Sequence, residues 1–112
     1  MTAIIGRILV LPAVLVAREG PAEHCRNALM TLAGLEATHP GLYALNPELA
    51  RAARRIHAAV VMLEHSGPAV FAASHIGRAI DALLDAPIDW KVCPAIGCAC
   101  ARLLRGLYML EG

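Results

Sequence analysis

Four prolines fix the layout of this chain. Pro21, Pro47, Pro68 and Pro94 are spaced by 26, 21 and 26 residues, so Pro21 to Pro68 and Pro47 to Pro94 are both 47. Proline breaks a helix from within but suits its first position, where the missing N–H would be unsatisfied anyway. Each of the four therefore reads as a helix start.

Residues 21–65 can be laid over 68–112 without a gap. Nine positions are then identical, among them Pro40/Pro87, Ala52/Ala99, Arg55/Arg102 and the run Met62-Leu63-Glu64 over Met109-Leu110-Glu111. Chance in a chain of this composition would give about four. The pattern predicts two tandem units, 21–67 and 68–112, each a helix, a loop and a second helix. Expected helices run over 21–38, 47–65, 68–85 and 94–110. Asn46 and Cys93 stand as N-caps, and Gly67 as a helix stop. Each loop carries an aromatic followed two residues on by an apolar residue, Tyr43 with Leu45 and Trp90 with Val92. These are expected to cover the open end of the helix pair.

The apolar residues recur at helical spacing. One arc gathers Cys25, Ala28, Leu29, Leu32 and Leu35; the next, Leu49, Ala52, Ile56, Ala59, Val60 and Leu63. In the second unit the arcs are Ala72, Ile76, Ala79, Ile80, Leu83 and Leu84, then Ile96, Ala99, Cys100, Leu103, Leu107 and Leu110. Residues are 58% hydrophobic but only 4% aromatic, so the core is aliphatic and small side chains let helices approach closely. The fold class is all-α: two tandem αα-hairpins in a four-helix bundle or HEAT-like pair, forming one domain over 1–112.

Residues 1–19 form a separate apolar segment, whose core is "ILVLPAVLVA" at 8–17. It falls short of the roughly 20 residues a membrane span needs, and Arg7 and Pro12 interrupt any longer reading. Its β-branched residues allow a strand, yet the 47-residue offset places Leu9, Ala13 and Val16 over Ile56, Val60 and Leu63, so helix is favoured. The expectation is a cytoplasmic protein with reduced cysteines and no membrane span.

Three of four cysteines crowd into "CPAIGCAC" at 93–100. On a helix starting at Pro94, Cys98 and Cys100 point about 200° apart and cannot share one ion. Paired C-x2-C spacing for zinc is missing, so no metal or other cofactor is expected. Cys98 alone keeps a chemical reading, as a candidate reactive thiol, because Arg102 and Arg105 follow on its face. His75 and Glu36 fall on apolar arcs and form a candidate buried polar pair. No catalytic residue is assigned, and the sequence points away from an enzyme.

The outer faces of the second helices carry Arg51, Arg54, Arg55, Val61 and Met62 in one unit and Arg102, Arg105, Tyr108 and Met109 in the other. Arginine, methionine and tyrosine are residue types that interfaces favour. These nine are the candidate partner surface of a non-enzymatic helical protein–protein interaction or regulatory module that self-associates as a homodimer. Two alternatives are a nucleic-acid or acidic-partner binder using the arginines, and a thiol-based redox sensor or small enzyme. Net charge of +1 gives no bulk attraction to polyanions, and few aromatics are present to stack on bases.

Overall fold

The structure, a computed structural model, describes residues 20–88 and 93–111. The N-terminal segment 1–19 and the expected tuck of Trp90 and Val92 lie outside the described residues. Five helices follow in order: α1 Pro21–Thr38, α2 Leu42–Leu45, α3 Pro47–Glu64, α4 Ala69–Asp85 and α5 Pro94–Glu111. No strand occurs among the described residues, and the fold is an all-α bundle.

Pro21, Pro47 and Pro94 open α1, α3 and α5. Pro68 stands one residue before α4, with extended ψ (130°), and its carbonyl accepts the Phe71 and Ala72 N–H groups. Asn46 sits at the N-cap of α3, but its side chain does not cap that helix. Its amide donates instead to the Leu42 carbonyl at 3.1 Å, closing α2 immediately before it. The same carbonyl also accepts the Asn46 backbone N–H at 2.9 Å, so Asn46 closes α2 through both groups.

The turn between α3 and α4 is tightly specified. Ser66 takes the left-handed conformation (φ 55°), and the Gly67 N–H donates to the Met62 carbonyl at 2.6 Å. This is a Schellman-type end, with serine where glycine is usual. Gly67 is required for a different reason: a Cβ there would lie 3.0 Å from the Met62 carbonyl oxygen and 3.3 Å from its Cβ.

Each long helix packs on its neighbours in chain order, and α5 returns to pack on α1. The ring is therefore closed, which selects a bundle over an open HEAT-like pair. Its closest pairs are α3 with α4 and α1 with α5; α1 with α3 and α4 with α5 pack less extensively. A 47-residue offset turns α1 into α4 and α3 into α5, so the two close pairs occupy equivalent places. Where α5 crosses α1, Gly106 lies against Pro21, His24 and Cys25.

The core follows the helical arcs. Cys25, Ala28 and Leu32 meet Leu49, Ile56, Val60, Ile76, Ile80, Leu83, Ile96 and Leu103, with no or little exposure. Burying each large aliphatic contributes about 1.5–3 kcal/mol before the entropy of ordering is subtracted. Two expectations fail here. Leu84 is exposed, because α4 buries Leu83 and turns the next residue out. Leu45 is 81% exposed while Leu42 and Tyr43 pack on the core. Residues 42–45 are a helical turn rather than an extended loop, and positions two apart on a helix point to opposite sides.

Candidate functional site

The sequence placed nine residues on one partner surface. The ring divides them, because α3 and α5 lie across its diagonal. Arg51, Arg54 and Arg55 belong to the groove between α3 and α4. Arg102 and Arg105 belong to the α5 side next to α1. The apolar members, Val61 and Met62 on α3 and Tyr108 and Met109 on α5, fall at the same end of the bundle.

The α3–α4 groove is built around Arg55. Its Nη1 lies 3.3 Å from His75 Nδ1. Guanidinium only donates, so in this contact Nδ1 is the accepting atom. Beside this contact is an open depression of about 320 Å³, lined by Arg51, Arg54, Arg55, Ala58 and His75. A second, of about 230 Å³, is lined by Arg51, Arg55, Arg78, Asp81, Ala82 and Asp85. Arg51 and Arg55 line both. Arg51 reaches Glu48 at 3.6 Å. Among the described residues, no carboxylate stands within ion-pairing distance of Arg54, Arg55 or Arg78. Arg78 and His75 were not assigned to this surface by the sequence, because they sit on the other unit's first helix.

A second arginine–histidine contact mirrors the first. Arg102 Nη1 lies 3.1 Å from His24 Nδ1, across the α1–α5 pair. Arg55 and Arg102 are equivalent by the 47-residue offset, yet the histidines are not; by that offset His75 overlies Ala28 and His24 overlies Phe71. Each arginine has found a ring one turn apart on the equivalent helix. His24, with 1% exposure, is the buried histidine of the fold, whereas His75 is only partly buried. The sequence assigned burial to His75 and nothing to His24. The close approach of α5 at Gly106 covers His24, and nothing in its own helix signals that.

Glu36 and His75 do not meet as a pair. Glu36 accepts the Gly41 N–H at 3.0 Å and the Tyr43 N–H at 2.8 Å, holding the turn into α2. His75 is taken by Arg55. Partial burial, with the Glu36 carboxylate nearby, pushes the Tyr43 phenol upward.

The cysteines behave as separate residues. Cys98 is exposed, beside an open depression of about 400 Å³ that it lines with Ala101, Arg102 and Arg105. Arg102 is engaged by His24 on the α1 side. Cys93 and Cys100 are half-buried, and burial raises the Cys100 thiol. Burial pushes the Cys25 thiol up to about 11, a shift the nearby Arg26 guanidinium partly offsets. All four are free. Among the described residues, no three His, Cys, Asp or Glu side chains converge to hold a metal ion. No described helix is long and apolar enough to cross a membrane.

The end of the bundle where α3 and α5 finish and α4 begins carries several exposed apolar side chains. Three contacts fix which termini share that end. Arg26 reaches Glu64 at 3.4 Å, Gly106 lies on Pro21, and the α3–α4 turn falls there. Val61, Val70, Phe71, Tyr108 and Met109 all sit at this end and are exposed, Phe71 by 56% and Tyr108 by 70%. Met62, beside them in sequence, is partly buried. Val70 and Phe71 were missed by the sequence reading, though Phe71 is the chain's only phenylalanine and stands in the first turn of its helix.

Comparison of the chain with protein-family models, with curated proteins and with solved structures gives no match.

Proposed function

We propose that this protein is a small, non-enzymatic helical docking module that associates with a second copy of itself through the apolar end of its bundle. The observation that carries the reading is the exposure of Val61, Val70, Phe71, Tyr108 and Met109 at one end of the bundle, on α4 and the two helices that flank it. Exposed aromatic and methionine side chains of this kind are what protein interfaces use at their centres. A cytoplasmic setting belongs to the same reading, since four free cysteines stay reduced there.

Sedimentation equilibrium on the full chain tests it. The expected result is a concentration-dependent dimer that becomes monomeric in the double variant Phe71→Ser, Tyr108→Ser, with helical content unchanged. A monomer at several hundred micromolar would overturn the proposal. So would a monomer that dimerises only after residues 1–19 are removed, which would assign that end to the chain's own N-terminal segment.

A second reading, recognition of an acidic partner, rests on the arginines of the α3–α4 groove.

A further inference from the structure

We propose that the α3–α4 groove binds a compact oxyanion of the phosphomonoester kind between Arg51, Arg54 and Arg55. Three guanidinium groups and one imidazole line a single depression of about 320 Å³, and no carboxylate lines it. Like charges gathered this closely repel one another unless an anion sits among them. Arg51 alone has a carboxylate near, Glu48 at 3.6 Å. Arg54 and Arg55 have none within ion-pairing distance among the described residues.

His75 makes the site more than a charged helix face. It holds Arg55 through Nδ1, so one guanidinium edge is fixed before any ligand arrives. The contact leaves the charge of Arg55 intact, because a guanidinium donates hydrogen bonds without losing its proton. Fixing the fork in advance lowers the entropy lost when it binds a phosphate or carboxylate.

The size of the ligand follows from what surrounds the depression. Along α4, Asp81 and Asp85 line the adjoining hollow with Arg78. Glu48 stands at the Arg51 side. The positive field therefore ends within one depression. A nucleic-acid backbone laid along the groove would meet those carboxylates, whereas one tetrahedral dianion would not. The chain's net charge of +1 agrees with a local site rather than a polyanion surface.

The test is an isothermal titration of the full chain with inorganic phosphate, against sodium chloride at equal ionic strength. Saturable binding is expected, with chemical-shift changes confined to α3 and α4. Arg54→Gln should weaken it at least tenfold, and Arg105→Gln on the far side of the bundle should leave it unchanged. Arg54 is exposed, and among the described residues its side chain makes no hydrogen bond or ion pair, so its replacement separates lost binding from lost folding. A parallel titration with O-phosphoserine names the source. Equal affinity points to the free ion, and tighter binding points to a phosphorylated side chain. Phosphate acting no differently from chloride would overturn the proposal. So would an oligonucleotide that binds more tightly than phosphate, with a salt dependence reporting several backbone contacts. Arg54 stands about two turns from Val61, the α3 member of that apolar end, so the loss expected in Arg54→Gln is separable from self-association.

Discussion

Replacing Gly67 by alanine probes the turn that sets α4 against α3. Gly67 does not have positive φ, so backbone freedom is not what the position demands. The demand is space. An added Cβ would stand 3.0 Å from the Met62 carbonyl oxygen and 3.3 Å from the Met62 Cβ. That carbonyl belongs to the last turn of α3 and already accepts the Gly67 N–H at 2.6 Å. Backbone cannot swing aside as a flexible side chain can, so relief must stretch or break the hydrogen bond. The bond is worth about 1 kcal/mol net, and residual strain adds about 1 kcal/mol more. Alanine returns about 0.4–1 kcal/mol by restricting the unfolded chain. The expected net loss is about 1–2 kcal/mol, or a fall in Tm of about 4–8 °C for a domain of this size. Urea unfolding followed by circular dichroism at 222 nm measures it. The neighbouring change Ser66→Gly should act oppositely, raising stability by about 0.5–1 kcal/mol, because φ of 55° is unfavourable for serine and open to glycine. Equal or greater stability in Gly67→Ala, at unchanged m-value, would refute the steric account of this turn.

Gly106→Ala should instead stabilise the fold by about 0.5–1 kcal/mol in the same assay. Gly106 is buried within α5, yet a Cβ would meet its neighbours at 3.5–3.8 Å, which is ordinary contact, and the equivalent position in α3 is the fully buried Ala59. Alkaline titration gives a third outcome. The Cys25 thiol is raised from 9.0 to about 11, so the unfolded chain releases that proton first and stability falls as pH climbs from 9 to 11. The loss reaches about 2–3 kcal/mol, and unfolding of Cys25→Ala should show a correspondingly shallower dependence on pH.

Much of the architecture is legible because prolines and apolar spacing act locally. Pro21, Pro47 and Pro94 set helix starts from within a single turn, and the arcs through Leu32, Ile56, Ile76 and Leu103 name the core. What a single helix cannot report is its angular neighbour. The arginines of α3 and α5 look alike along the sequence, but the closed ring sends them to different sides. Arg78 and His75 join Arg55 only because α4 packs on α3. His24 is buried only because α5 packs over it. The short helix α2 was hidden for a different reason. Gly41, with φ of 88°, and the two N–H groups held by Glu36 create a turn of helix in a stretch whose composition reads as loop.

The placement of the close helix pairs has a consequence for how the chain folds. Each joins one helix from 21–66 to one helix from 67–111, so neither half keeps its main packing partner when separated. The halves must therefore assemble together, in one cooperative step. The same geometry permits exchange: if the link from His65 to Pro68 straightens, α4 and α5 of one copy can settle on α1 and α3 of another with both close pairs rebuilt. Only the bent link and the protein concentration then separate a monomer from an interlocked pair. The hydrogen bond from Gly67 to Met62 thus guards the chain against trading halves with its neighbours.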